Sequence, residues 1–191
     1  MRVNKFLIIS LLLAGLCSAC GDTSPSAPNA MGLARHYPQE AEANFALARA
    51  LWTTTQVCKD PAQAIEYLDK AISVAPDYWE AYQRRGLAKS DVYDWDGAFD
   101  DLTMAIRLNP IAENYAYRGL VSMRGGNSLG ARKDLERSLS LNSKQHLAWN
   151  VRGGLNLLSG DVPAACSDFK RGCSNGDCTG WESAKTRDIC N

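Results

Sequence analysis

The chain has 191 residues, is 46% hydrophobic, and carries 21 basic and 21 acidic side chains, so its charges balance. That apolar content is typical of a folded globular protein, and the length suits one domain. No segment is rich in lysine and arginine. The sequence therefore argues against nucleic acid as a partner, because such binding rests on many phosphate contacts.

The N-terminal residues have the layout of an export signal. Arg2 and Lys5 precede residues 6–16, which carry no charge. As a helix, that run would rise about 16 Å, well short of the roughly 30 Å of hydrocarbon in a bilayer. A short apolar run behind positive charges is typical of a secretory signal peptide.

Residues 17–20, Cys-Ser-Ala-Cys, have three possible interpretations. A thioredoxin-like redox pair needs a βαβ setting, which is missing, and c-type haem attachment needs a histidine after the second cysteine. The segment resembles instead the lipobox of bacterial lipoproteins, in which small residues precede the cysteine that becomes the lipidated N-terminus. The resemblance implies a signal peptide at 1–19 and lipidation of Cys20, palmitate included. Cys17 stands where that family usually has leucine.

The same resemblance implies a location. Gly21 replaces the aspartate that retains lipoproteins in the inner membrane, which favours the outer membrane and the periplasmic side. Residues 20–39 are rich in small residues and proline near their start, and they predict a lipid-anchored flexible tether. The alternative is ordinary cleavage after Ala19 and release of a secreted or periplasmic soluble protein.

A 34-residue repeat follows the tether. Three matching motifs, each ending in Arg-Gly, occur at 81–86, 114–119 and 148–153. Each is followed by an alanine and then a large apolar residue at fixed distances, and an earlier partial copy surrounds Leu68. Apolar residues at three- and four-residue spacing predict helices. Turn signals such as Asp60 before a proline predict two helices in each unit.

This pattern resembles the tetratricopeptide repeat (TPR). The resemblance implies an all-α fold, a right-handed α-solenoid of four TPR-like helical hairpins in residues 40–191. The first repeat has Leu51 and Trp52 where later repeats have Arg-Gly, and we expect Trp52 to cover the exposed end of the stack. The repeats are expected at about 42–76, 79–110, 112–143 and 146–177, with hairpin helices at 42–57/61–74, 79–92/95–108, 112–124/128–141 and 146–158/162–173.

Three repeats also share an arginine followed sixteen residues later by an aspartate, and the first repeat lacks both. In an antiparallel hairpin these positions lie roughly opposite each other. The alternative is that the arginines grip an acidic ligand. We predict structural ion pairs Arg85–Asp101, Arg118–Asp134 and Arg152–Asp168.

The C-terminal stretch holds four cysteines and resembles the ending of many exported bacterial TPR proteins, where a short helix closes the solenoid. That capping helix is expected at about 179–188. Cys166 and Cys173 would lie about 10 Å apart on one helix, too far to bridge. A turn and a returning helix favour the disulfides Cys173–Cys178 and Cys166–Cys190. The other two connectivities stay open, as does a zinc site, although the spacing lacks paired C-x₂-C hooks.

No catalytic motif is present. The two histidines, His36 and His146, stand in no nucleophile or metal pattern, and no P-loop, G-x-S-x-G or H-E-x-x-H sequence occurs. Cys58 is left over as a free thiol near the first interhelical turn. The sequence therefore predicts neither an enzyme nor a metal or cofactor.

In the TPR family the first helices of the repeats line a concave groove that takes a peptide or helix of a partner protein. The resemblance thus implies a non-enzymatic protein–protein interaction scaffold, attached to the membrane by its lipid. The alternative is a secreted domain with a mainly structural role. The basic and amide residues of domains that clamp a C-terminal carboxylate are not present. The expected groove positions are Gln83, Leu87, Ala116, Leu120, Asn150 and Gly154, together with Glu80, Glu113 and Leu147.

Overall fold

The computed structural model describes residues 36–53 and 58–190. The expected signal peptide, Cys20 and most of the expected tether lie outside these residues. Within them, no helix is long and apolar enough to cross a membrane. The helices of the described residues are α1 (Gln39–Arg49), α2 (Pro61–Val74), α3 (Trp79–Asp91), α4 (Trp95–Leu108), α5 (Ala112–Arg124), α6 (Ser128–Leu141), α7 (His146–Leu158), α8 (Val162–Ser174) and α9 (Thr179–Thr186).

The first eight helices form four hairpins that stack in chain order. Each hairpin packs its two helices together, each second helix packs on the next first helix, and α9 packs on α8 and α7. This architecture confirms the predicted all-α stack of hairpins with a capping helix. The second helices begin at side-chain caps, because an Asp or Asn oxygen accepts a hydrogen bond from a backbone N–H three residues on. The capping residues are Asp60, Asp94, Asn127 and Asp161.

Small residues let the two helices of a hairpin cross closely. A Cβ atom built on Gly119 would lie 2.9 Å from Cγ of Leu135, and one built on Gly86 would lie 3.0 Å from the carbonyl oxygen of Ala98. Leu135 is fully buried in the space that the glycine leaves. Close packing of this kind leaves no room for a larger residue at the crossing.

The first helix differs from its prediction. It was expected at 42–57, but α1 ends at Arg49, and residues 54–57 lie outside the described part of the chain. The chain then turns, and Trp52 forms an isolated bridge with Cys58. The physical reason is steric, since Trp52 aligns with the crossing glycine of later repeats and its side chain would not fit there.

The predicted position of Trp52 is also wrong. It does not cover the end of the stack. It is half-buried against the apolar cluster of the first hairpin, and the guanidinium of Arg84 on α3 lies 5.5 Å from its ring centroid. Tyr37 and Tyr78, whose rings stack at 3.9 Å, belong to the same cluster. Trp52 therefore lies on the side of α1 and α2 that faces the second repeat.

The capping helix is two residues shorter than expected. Asp188 has a φ of 54°, in the left-handed region, and the N–H of Ile189 bonds back to the carbonyl of Ala184. A left-handed residue followed by such a bond is a common way for a helix to end. The turn brings Cys190 back towards α8.

Candidate functional site

The three predicted arginine–aspartate pairs are all formed. In each pair Nε and Nη2 of the arginine donate to the two carboxylate oxygens of the aspartate, with distances between 2.6 and 2.8 Å. The fork-to-carboxylate arrangement is the strongest geometry available to such a pair. Each pair joins the two helices of one hairpin, and the aspartates are buried. The guanidinium forks are thus occupied inside the protein, which leaves the alternative of ligand-gripping arginines without support.

The three pairs differ at one further position, which was not recognised from the sequence. It stands four positions after each arginine, one helical turn further along the same face. Lys89 lies 2.9 Å from Asp101, and Asn156 donates to Asp168 at 3.0 Å. The equivalent Ser122 has a buried hydroxyl with no hydrogen-bond partner among the described residues. The third repeat therefore has the weakest support around its aspartate.

Two of the expected groove residues are not accessible. Gln83 is buried, and its amide donates to Oδ1 of Asn114 at 2.7 Å. Asn114 in turn donates to the carbonyl of Asn109. Ala116 is fully buried. Gln83 and Asn114 join α3 to α5, and Ala116 lies in the apolar cluster with Ala131 and Ala148. The predicted contact of Gln83 and Ala116 with a partner therefore does not agree with the structure.

Asn150 is also used internally. Its amide nitrogen donates to the backbone carbonyl and the carboxylate of Asp177, at 3.1 and 2.8 Å. Burial would raise the pKa of Asp177, but hydrogen bonds from Thr179 and Asn150, with His146 nearby, lower it instead. Asn150 therefore ties α7 to the turn before α9.

Three expected groove positions stay partly exposed: Leu87, Leu120 and Gly154. They lie on α3, α5 and α7, which contact one another in succession. Leu120 packs on the apolar cluster beneath it, and a Cβ atom at Gly154 would meet only the sulfur of Met123, at 3.8 Å. We call the surface of these three helices the first-helix face. Its partly exposed side chains are both polar and apolar, and its contact with a partner stays a prediction.

Sequence relatives carry the same repeat. The chain is 30% identical over 112 residues to human "Tetratricopeptide repeat protein 13". The matched segment covers 59% of this chain and 13% of that protein. It is 33% identical over 90 residues to "Tetratricopeptide repeat protein 36" of Danio rerio, covering 44% of this chain and 48% of that protein. The chain thus spans about half, or less, of the length of the curated relatives that it matches. No family model matches the sequence.

Solved structures decide the fold. The thermophilic TPR protein TTC0263 of Thermus thermophilus superposes with a TM-score of 0.66 at 21% identity, over 80% of this chain and 82% of that one. MamA gives 0.59 at 25% identity, over 77% and 81% of the two chains. The first TPR of Spaghetti (RPAP3), bound to the HSP90 peptide SRMEEVD, gives 0.57 at 21%, over 64% and 94%. The fold is a TPR solenoid. The names of the relatives and of these structures support membership of the TPR family.

The C-terminal end of this TPR stack is joined by two disulfides. One links Cys166 to Cys190 and the other Cys173 to Cys178, so the structure has the predicted pairing. No group of three or more metal-ligating side chains lies together within 36–53 and 58–190. The four thiols form disulfides, so they do not form the zinc site that the sequence left open. The bridges hold the capping helix against the last TPR hairpin.

Cys58 has no disulfide partner among the described residues and is buried beside the first TPR hairpin. Burial raises the pKa of its thiol, and this outweighs the hydrogen bond to Asp60. The reactive form of cysteine is the thiolate. The buried Cys58 therefore suits a role in packing better than a role as a nucleophile.

Proposed function

We propose that this chain is a non-enzymatic TPR scaffold that binds a peptide or helix of a partner protein on its first-helix face. The observation that carries the proposal is the partly exposed apolar surface of Leu87 and Leu120, on successive first helices whose arginines are already paired. The complex of Spaghetti with an HSP90 peptide supports the same use of the fold here.

The first-helix face favours an apolar partner segment over a carboxylate tail. Gln83, at a position that would have to grip a carboxylate, is buried and bonded to Asn114. Leu120 and the space above Gly154 offer contacts to apolar side chains instead. An amphipathic helix laid along α3, α5 and α7 would bury such side chains at three- and four-residue spacing.

Site-specific photo-crosslinking in cells tests this proposal. A photoreactive amino acid at Leu120 should give one discrete adduct with a second protein, and Leu87→Glu in the same chain should abolish it. The matched control places the same group at Glu136, an exposed residue on α6. The proposal fails if the two positions give the same adducts, or if the position of Leu120 gives none.

We further propose that the chain is exported and anchored by lipid at Cys20 to the periplasmic side of the outer membrane. The supporting observations are the charged start, the short apolar run and the Ser-Ala-Cys sequence. Two disulfides in a small domain also suit an oxidising compartment. Several acyl chains would give stable membrane attachment. Release as a secreted TPR domain with a mainly structural role is the alternative.

Labelling with palmitate separates the two locations. The unaltered chain should incorporate labelled palmitate and fractionate with the outer membrane, whereas Cys20→Ser should do neither. Cys17→Ser is the matched control, because this change leaves the lipidated cysteine in place. Equal labelling of all three proteins, or of none, would exclude lipidation at Cys20.

A further inference from the structure

Two adjoining depressions lie where α6 meets α7 and α8, away from Leu87 and Leu120. Each has a volume of about 310 Å³. One is apolar and is lined mainly by Leu129, Leu155 and Leu158. The other is polar and contains three arginines, Arg132, Arg152 and Arg171, beside Asn156, Ser167 and Asp168. Arg132 lines both depressions and forms the wall that they share.

We propose that the two depressions form one binding site, here called the Arg132 site, for a peptide segment of a partner protein that carries a large apolar side chain beside a carboxylate. The carboxylate would meet Arg132 and Arg171, and the apolar side chain would cover Leu129 and Leu158. This site shares helix α7 with the first-helix face, but Leu87, Leu120 and Gly154 do not line it.

The charges of the polar half are not balanced within the site. Arg152 and Asp168 neutralise each other through their two hydrogen bonds. Asp161, the remaining acid, caps α8 by accepting from the N–H of Ala164. Among the described residues no ion pair engages Arg132 or Arg171, so two cations face one already bonded carboxylate. Guanidinium groups bind carboxylates through paired N–H donors, which makes a carboxylate the matching ligand.

Arg132 and Arg171, which form no ion pair among the described residues, are both held in position. Nη2 of Arg132 donates to Oδ1 of Asn156 at 3.1 Å, which leaves its other N–H groups available. The guanidinium of Arg171 lies 4.8 Å from the ring centroid of Trp149. That ring is buried, and its N–H is bonded to the carbonyl of Ser143. Arginines ordered in this way lose less conformational entropy when a ligand binds.

The preceding repeat shows that the Arg132 site is not a general property of the stack. Phe99 occupies the place equivalent to Arg132, and its ring lies 5.1 Å from the guanidinium of Arg118. The arginine–aspartate pairs beside Phe99 and Arg132 are about equally exposed, with arginine side chains that are 18% and 22% accessible, so the exchange alters the surface beside the pair and not the pair itself. The third repeat thus keeps its arginine–aspartate pair and carries arginine where the second repeat has phenylalanine.

The apolar half is open. Leu129 and Leu158 are 82% and 74% exposed, whereas Leu155 between them is buried. Leaving two leucines in water forgoes the stabilisation that burial brings. An open depression can cover an apolar side chain but cannot enclose an acyl chain, since small-molecule sites bury most of their ligand. These observations favour a peptide over a fatty acid or a lipid.

Binding can be measured by NMR titration of the full chain with short acetylated peptide amides. The first probe contains Leu-Glu between glycines, and two matched probes contain Leu-Gln and Ala-Glu. We expect the Leu-Glu probe to shift the Nε signals of Arg132 and Arg171 and the methyl signals of Leu129 and Leu158. The matched probes should bind about tenfold more weakly, as expected for the loss of one charged hydrogen bond or one buried side chain.

Variants locate the site. Arg132→Phe copies the preceding repeat, so it should keep the fold and weaken binding at least about tenfold. Leu158→Ser should weaken binding to a similar extent, and Arg137→Ala, the equivalent of Arg171 one repeat earlier, should leave it unchanged. Equal binding of Leu-Glu and Leu-Gln, or no shift of these signals with any peptide, would overturn the proposal. Stronger binding of decanoate, or displacement of the peptide by inorganic phosphate, would overturn it in favour of a lipid or a free anion.

Discussion

The first hairpin and the three later hairpins achieve the same shape by different means. In the later ones a glycine lets the helices cross, and a buried arginine–aspartate pair joins them. The first hairpin has Leu51 and Trp52 at the arginine and glycine positions and relies on an aromatic cluster that includes Tyr37, Phe45 and Tyr78. We call the crossing glycine and the arginine–aspartate pair the polar frame of a repeat. A repeat can thus lose its polar frame when apolar burial replaces it.

The difference also decides which repeats can change their surface residues without losing their packing. An aromatic cluster needs many mutually fitting side chains, whereas the arginine–aspartate pair needs only two and leaves the surrounding surface free to vary. Position by position, the later repeats keep the pair and vary its neighbours, as Phe99 and Arg132 show. We infer that the ion-paired frame is what lets new surfaces, such as the Arg132 site, arise in the later repeats.

Removing one partner of a pair should have the largest effect. Arg118→Ala leaves Asp134, which is 6% exposed, without its counter-charge. Breaking a buried pair costs several kcal/mol, and because Arg118 is partly exposed we expect a loss of about 3 kcal/mol in the free energy of unfolding. Urea denaturation measures it.

The matched experiments for this pair are a second mutation and a surface control. Asp134→Ala added to Arg118→Ala should recover part of the loss, with a coupling of about 0.5–3 kcal/mol. Arg107→Ala, at an exposed site on α4, should change the stability by less than about 0.5 kcal/mol. Additive effects of the two mutations in the pair would contradict a direct role.

The disulfides should stabilise the last hairpin without affecting the first. Cys166 and Cys190 close a loop with a sequence separation of 24, and Cys173 and Cys178 one of 5. In the chain-entropy model, replacing both cysteines of the longer loop by serine costs about 3 kcal/mol, against about 2 kcal/mol for the shorter. Hydrogen exchange should show lost protection in α9 and unchanged protection in α2. Equal loss in both helices would mean that the stack unfolds as one unit.

The frame of the later repeats could be predicted from the sequence because it is periodic. Arg118 and Asp134 recur with Gly119 at fixed spacing, and that spacing directly encodes a helical crossing. The cysteine pairing was favoured by the rise of a helix, the position of a turn and the expected returning helix, but the sequence left the other two connectivities open. The end of α1 could not be predicted, since the repeat alignment placed Trp52 inside a helix that its side chain cannot extend.

The surfaces were less predictable than the frame. Gln83 was expected in a groove, yet it is buried against Asn114, a partner thirty-one residues away that no periodicity identifies. The Arg132 site was missed because it joins residues of three helices, and only the exchange of Phe99 for Arg132 in the repeat alignment pointed to it. Side-chain burial between repeats depends on packing that the spacing of the sequence does not encode.

A methyl group at the helix crossing should have an intermediate effect. Gly119→Ala would bring a Cβ atom to 2.9 Å from Leu135, which is buried and cannot move freely. Overpacking of this kind costs about 1–3 kcal/mol, of which the helix preference of alanine over glycine offsets about 1 kcal/mol. Gly154→Ala is the matched control, since its Cβ meets only the sulfur of Met123 at 3.8 Å, and alanine favours a helix over glycine by about 1 kcal/mol. Thermal denaturation should therefore show opposite signs for the two variants, and equal signs would refute the close-crossing argument.

The smallest effect should come from Ser122, which follows Arg118 by one helical turn. The hydroxyl of Ser122 is buried without a hydrogen-bond partner among the described residues, so Ser122→Ala removes a desolvated polar group and should stabilise the chain by about 0.5–1 kcal/mol. At the equivalent place Asn156 donates to Asp168 and accepts from Arg132, so Asn156→Ala should destabilise by about 1–3 kcal/mol. Urea denaturation of both variants measures these changes in the free energy of unfolding. If Ser122→Ala also destabilises the chain, its hydroxyl is satisfied by water in solution, and the third repeat is then supported like the fourth.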